Sequence, residues 1–190
     1  GHGAMISARL VAEAMERGMK LVVFDPMCNY SSAKATEWVP LIPGTDGAVL
    51  LGMCNVILND LGVWDASYLK LKTNGAYLVG PDGRFLRDPE SAKPLVWDAG
   101  ESKAKVYDDA GITDYALEGS YEVNGLVSHP SFHLLKEHLK QYSPEMVSKV
   151  SDVPAETIVR IATEDAQAAQ IGSTINIEGH QLPLRPVASL

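Results

Sequence analysis

Apolar positions along this chain follow two rhythms. Met5, Ile6, Leu10, Val11, Ala14 and Met15 recur at the spacing of one helix face, which predicts a helix over 4–17 with Gly18 as its stop. Leu21-Val22-Val23-Phe24 is instead an unbroken run, the pattern of a strand covered on both faces. The polar stretch 31–36 suits one or two helical turns. Val39-Pro40-Leu41-Ile42 reads as a second strand, with Pro40 marking an edge position or a strand start. Helical spacing returns at Val49, Leu50, Met53, Val56, Ile57 and Leu58, capped by Thr45 or Asp46 and running to Asn59. A short helix follows over 65–72. A helix feeding a fully apolar strand implies a parallel α/β layer.

The pattern changes between Asn74 and Gly125. Breaks at Gly80-Pro81-Asp82-Gly83, Asp88-Pro89, Ala99-Gly100, Asp108-Asp109 and Val123-Asn124-Gly125 separate short β-like runs at 77–79, 85–86, 95–97, 105–107 and 121–123. Aromatic residues persist throughout, so this stretch reads as an inserted lobe of hairpins rather than disorder. Helical spacing resumes at 131–141 and 144–150. It is strongest at 154–170, where Ser151 or Asp152 can cap, Pro154 suits the first turn and Glu156 faces the positive end. Residues 173–177 read as a strand ending at Glu178-Gly179-His180-Gln181, and the tail 182–190 carries no stop signal. The expected architecture is therefore α/β: a parallel sheet flanked by helices, with a small β-hairpin-rich insertion. It divides into 1–73, an inserted 74–125, and a return over 126–190.

Composition narrows the function classes. With 190 residues, 46% of them hydrophobic, the chain can bury one real core plus an insertion. A formal charge of −8, from 16 basic against 24 acidic residues, argues against nucleic acid as a partner. No apolar run approaches the ~18 residues of a membrane span, so no direct membrane insertion is expected. Gly1 leads straight into an amphipathic stretch, so no leader is expected either; Gly1-His2 suit a tag remnant or the start of a piece cut from a longer protein. Cys28 and Cys54 form no zinc-type spacing and do not fix the redox compartment. Cys54 is expected to be a small buried residue, and Cys28, just past a strand end, partly open. His133 and His138 do not share a helix face as a metal pair would. Both, with His129, read as surface residues.

In open α/β sheets, ligands bind outside the carboxyl ends of strands. Three such ends carry polar groups here: Asp25 to Asn29, Gly44 to Asp46, and Glu178 to Gln181. A carboxylate can accept paired hydrogen bonds from a ribose diol or from the N–H edge of guanine. Gly44 lets backbone approach a ligand, Thr45 adds a hydroxyl, and the helix start offers free N–H groups to an anion. From spacing alone, Asp25-Pro26 also suits an ordinary turn and Asp46 an ordinary cap. Neither the dinucleotide glycine fingerprint nor a phosphate-binding P-loop is present, which counts against an NAD-linked enzyme.

Two runs carry a family resemblance. Gly18-Met-Lys-Leu-Val-Val-Phe-Asp-Pro26, followed by Ala35-Thr-Glu-Trp-Val-Pro-Leu-Ile-Pro-Gly-Thr-Asp46, resembles the molybdopterin oxidoreductase family, the dimethyl sulfoxide reductase class of catalytic subunits. The stretches at 62–73, 142–162 and 171–181 are similar in style, while 74–125 matches only some members. The resemblance implies a cofactor of molybdenum or tungsten on molybdopterin guanine dinucleotide. It also implies that Asp25, Pro26, Met27, Cys28, Asn29, Gly44, Thr45 and Asp46 lie at its guanosine end. Glu178, Gly179, His180 and Gln181 would approach the pterin or metal pocket, where His180 suits proton transfer. It implies no metal ligand or catalytic residue within this chain; His2 would fall near a cofactor loop. Trp38 is expected as a packing residue and Glu37 as solvated or paired. The expected partners are the remainder of a catalytic subunit, with its 4Fe–4S cluster, and an iron–sulfur electron-transfer subunit. The expected setting is the periplasmic or cytoplasmic face of a prokaryotic membrane complex. The competing reading is a non-catalytic nucleotide-binding or assembly module of α/β fold.

Overall fold

A computed structural model describes residues 5–184 and 186–187 of the chain. Helix α1 (Met5–Glu16) ends at Gly18, which takes the left-handed φ of +99° that favours glycine. Strand β1 (Val22–Phe24) runs parallel to β2 (Glu37–Val39), with Val22, Val23 and Phe24 opposite Glu37, Trp38 and Val39. A single 3₁₀ turn, Ser32–Lys34, lies in the crossover that a parallel pair requires. The second strand thus forms two residues earlier than the apolar run 39–42 suggested. Pro40, which has no N–H to give a ladder, falls just past its end.

Helix α2 (Asp46–Asn55) passes into a π-helical turn, Val56–Asp60, in which the Leu61 N–H donates to the Val56 carbonyl at 2.9 Å. Asn59 anchors this turn, its amide donating to Asn55 Oδ1 at 2.8 Å and to the Lys136 carbonyl at 3.0 Å. Helices α5 (Pro144–Ser151) and α6 (Ala155–Ala168) complete the layer. Their apolar stripes meet α2 and β2 in a cluster of Val39, Leu41, Val49, Val147, Val153, Ile158 and Ile161, against which Val22 and Phe24 pack. Each aliphatic side chain removed from water here contributes roughly 1.5–3 kcal/mol. Helices α2 and α5 approach closely at Gly52, where a Cβ would lie 2.9 Å from Val147 Cγ2. The expected caps of α6 differ. Asp152, at φ 63°, ends α5, Ser151 Oγ donates to the Val147 carbonyl, and Pro154 occupies the α6 N-cap without a side-chain bond.

The lobe begins after α3 (Ala66–Lys72), whose first turn Asp65 caps by accepting from the Tyr68 N–H at 2.9 Å. Strand β3 (Leu78–Val79) pairs with β7 (Leu126–Pro130), which pairs with β6 (Tyr121–Val123); β4 (Leu95–Asp98) and β5 (Lys103–Val106) form a separate hairpin. All of these ladders are antiparallel. An isolated bridge, Tyr77–Val96, ties the two sheets together, and another, Val79–Phe85, closes the turn after β3. Strand β7 is absent from the sequence reading, and it leads directly into α4 (Ser131–Leu139). Under the lobe lies a fully buried carboxylate, Asp98. It takes the Lys105 ammonium at 2.6 Å, the Thr113 hydroxyl at 2.8 Å, and N–H groups of Gly100, Thr113 and Asp114.

The chain is therefore a mixed α and β structure. The parallel sheet expected from sequence is present among the described residues as one pair, β1–β2, and β1 is only half-buried where both of its faces were expected to be covered. The reason is local connectivity. Most strands are short and joined by tight turns, which return the chain antiparallel, whereas only 25–36 supplies a crossover. Strand β8 (Thr174–Ile177) likewise turns back on β9 (His180–Pro183) and pairs with no other named strand.

Candidate functional site

Because β1 and β2 are parallel and end in register, Phe24 beside Val39, the loops that follow them leave the same edge of the pair. The first loop is closed by its own side chains. Asp25 Oδ1 accepts the Met27 N–H at 2.8 Å, and its other oxygen accepts from the Asn29 amide. Asn29 Oδ1 accepts the N–H groups of Ser31 and Ser32 at 2.9 and 3.1 Å. This is an Asx-type turn, as an Asp-Pro step favours. Each Asp25 oxygen keeps a second lone pair. Met27, Cys28 and Tyr30 are exposed on the loop, Tyr30 at 93%.

Trp38 differs from its expected packing role. It is 38% exposed, and its indole N–H donates to the Asp25 carbonyl at 2.8 Å, pinning the loop from the neighbouring strand. The sequence held the residue but not this bond, which depends on parallel register. Glu37 pairs with Arg160 of α6.

The second loop is a turn with Pro43 and Gly44 at its centre, closed by the Thr45 N–H on the Ile42 carbonyl at 3.2 Å. Gly44 has φ +84°, the type II position that glycine fills, and a Cβ there would meet nothing within 4 Å. Thr45 occupies the α2 N-cap without capping it, since its hydroxyl donates backward to Ile42 at 2.6 Å. The N–H groups of Asp46, Gly47 and Ala48 consequently have no protein acceptor among the described residues, Val49 being the first to donate back. An uncapped helix start beside an open glycine fits an anionic, phosphate-bearing group. The Asp46 carboxylate is exposed in the first turn and accepts no hydrogen bond from the described residues.

The third loop does not join this edge through any ladder. Glu178 and Gly179, at φ 52° and 84°, form the tight turn of the β8–β9 hairpin, with Ile177 opposite His180. Glu178 to Gln181 are exposed, and Gln181 donates to Thr174 at 2.8 Å. The single strand read at 173–177 is half of a ribbon, because Gly179 allows a chain reversal and β9 continues to Pro183. His2 lies outside the described residues.

Other candidates fall elsewhere. Cys28 is exposed; Cys54, expected to be buried, is exposed as well. His129 and His133 stack at 5.1 Å, and His129 Nδ1 lies 2.9 Å from the Gly119 carbonyl. Among the described residues no helix is long and apolar enough to cross a membrane, and no group of three or more His, Cys, Asp or Glu is placed to hold a metal.

Comparison with known proteins sets the chain in a family. The chain is 37% identical over 171 residues to a sulfite dehydrogenase subunit of Allochromatium vinosum, a match covering 81% of this chain and 17% of that subunit. It is 32% identical over 203 residues to the alpha subunit of perchlorate reductase from Dechloromonas aromatica, covering 85% and 22%. It is 29% identical over 161 residues to the molybdopterin-containing subunit of the Chrysiogenes arsenatis arsenate respiratory reductase, covering 85% and 15%. No protein-family model matches. The chain belongs to the molybdopterin oxidoreductase family, the dimethyl sulfoxide reductase class of catalytic subunits. It spans about a fifth of the length of these curated relatives.

Proposed function

We propose that this chain is part of the catalytic subunit of a molybdenum or tungsten oxidoreductase and holds the guanosine end of a molybdopterin guanine dinucleotide. The observation that carries the reading is the pair of loops leaving one edge of β1–β2, one bearing Asp25 and the other an uncapped helix start with Asp46. In it, Asp25 and Asp46 accept from the guanine edge or the ribose diol. The N–H groups of Asp46, Gly47 and Ala48 meet a phosphate, and Gly44 leaves room for close approach. Pro26, Met27 and Cys28 contribute backbone, Asn29 orients Asp25, and Thr45 shapes the turn. Glu178, Gly179, His180 and Gln181 serve as a second approach from a separate hairpin. When bound, the cofactor supplies oxygen-atom transfer or two-electron chemistry; the domain's part is orientation and electrostatic setting.

The same reading extends to the rest of the subunit. The β1–β2 pair is one part of a larger parallel sheet. Residues 1–73 and 126–190 form the guanosine-binding α/β unit, and 74–125 is its insertion. A 4Fe–4S cluster lies elsewhere in the subunit, an iron–sulfur subunit takes the electrons, and the assembly sits at one face of a prokaryotic membrane.

Guanine released by acid from the purified full-length subunit tests the site. Asp46→Ala is expected to lower guanine content severalfold while leaving the fold intact. Full guanine content in that variant would reduce Asp46 to a first-turn acid and remove the clamp.

A further inference from the structure

A cleft of about 570 Å³ lies between the end of α3 and the β lobe and includes none of the strand-end loop residues. Its size lies inside the range of roughly 300–1,000 Å³ typical of small-molecule sites. Lys70, Lys72, Asn74, Tyr77, Tyr107 and Tyr115 line it. The Tyr77 and Tyr107 rings sit 5.4 Å apart and tilted by 54°, and Tyr77 meets Phe85 edge-on. Tyr115 is fixed by donating its hydroxyl to the Tyr107 carbonyl at 3.0 Å. The hydroxyls of Tyr77 and Tyr107, the Asn74 amide and the Lys72 ammonium have no hydrogen-bond partner among the described residues.

Of the acids around the cleft, Asp114 is paired with Lys70 at 2.7 Å and Asp108 with Lys93 at 2.5 Å, while Asp109 accepts the Gly111 N–H at 2.7 Å. Lys72, at the rim, forms no ion pair among the described residues. Burial, then Tyr107 and Asp108, pushes the Tyr77 phenol above its ordinary value, so it remains a donor at neutral pH. The lining thus offers aromatic surface, hydroxyl donors and an ammonium group within one hollow, a set that a bare anion only half uses.

We propose that this cleft binds a small aromatic oxyanion, an aryl carboxylate or aryl phosphate, with its ring against Tyr77 and Tyr107 and its charged group at Lys72. The site is independent of the proposed guanosine clamp. Calorimetric titration of the full-length subunit tests it with benzoate and phenyl phosphate, using benzyl alcohol and inorganic phosphate as ring-only and charge-only controls. At least one aryl anion is expected to saturate about tenfold more tightly than both controls, and the one that does identifies the acidic group. Lys72→Gln, at an exposed position, is expected to weaken it about fivefold without shifting thermal unfolding, and Tyr107→Phe about twofold. No saturation by either aryl anion up to about 10 mM, parity with the controls, or unchanged binding in Lys72→Gln would overturn the proposal.

Discussion

Two aspartates of this chain live under opposite conditions. Asp98, under the β lobe, has no exposed surface and is enclosed by an ammonium, a hydroxyl and three N–H groups. Asp46, at the end of the parallel pair, is exposed in a helix's first turn and accepts nothing from the described residues. A carboxylate whose every acceptor is filled from within is architecture. One left open beside unused N–H groups is available to a ligand. Asp25 stands between them, half-satisfied by its own loop and pinned by Trp38. The lobe is thus held by a polar network with small apolar clusters around it, whereas the α/β unit is held by apolar packing and keeps its polar groups at the rim.

The sharpest way to break this contrast is at Asp98. Asp98→Ala leaves the Lys105 ammonium only Glu101 and the Gly111 carbonyl and removes the acceptor of the Thr113 hydroxyl and three N–H groups, and it is expected to lower the melting temperature by about 10 °C or more, the largest effect of any single change here. The network also sets a pH dependence. Lys105 first, with the N–H and hydroxyl donors, holds the Asp98 carboxyl well below its ordinary value of 3.8. A depressed folded-state value contributes stability that is complete above the ordinary value and is lost as pH falls below it. Acid melts should therefore steepen below pH ~4, and the steep limb should flatten in Asp98→Asn.

Next in size is the α2–α5 contact. Gly52→Ala forces a methyl to within 2.9 Å of Val147 Cγ2 and is expected to cost about 1–3 kcal/mol in denaturant unfolding. Combining it with Val147→Ala should cost less than the two losses summed, because the second change removes the clash. Asp46→Ala is expected to change stability by less than about 1 kcal/mol, the size of a helix-dipole effect, while guanine content falls. A large loss of stability there would erase the distinction from Asp98. Of similar size is Trp38→Phe, which deletes one N–H donor to Asp25 at a cost of about 0.5–1.5 kcal/mol. Its signature is faster amide exchange confined to 25–32.

Much of this was legible in sequence because it is local. Helical spacing located α1, α2, α5 and α6 within a few residues, since burial of one stripe decides a helix. The Pro43-Gly44 turn follows from residue types that admit few backbone shapes, whereas the cap expected for α2 at Thr45 or Asp46 does not form, because the Thr45 hydroxyl turns back to the Ile42 carbonyl. The misses share a cause. Strand β2 shifted because register against β1, not local apolarity, chooses which residues pair. Strands β7 and β9 escaped notice because Leu126–Pro130 and His180–Pro183 gain strand geometry only from a partner. Nothing local marks Asp98 and Lys105 as buried, and only the packing of β4 on β5 under the Thr113 loop buries them together.

By itself, then, the sequence determined where helices run, where the chain must turn, and that Asp25 and Asp46 close two successive motifs. Tertiary structure alone decided that those two loops leave one edge, that Glu178–Gln181 sits on a separate ribbon, and that Asp98 is sealed while Asp46 is open. The physical reason is range. Backbone preference and helical periodicity act over a few residues, whereas strand register and the satisfaction of a buried charge depend on groups distant in sequence that meet only once the chain has folded.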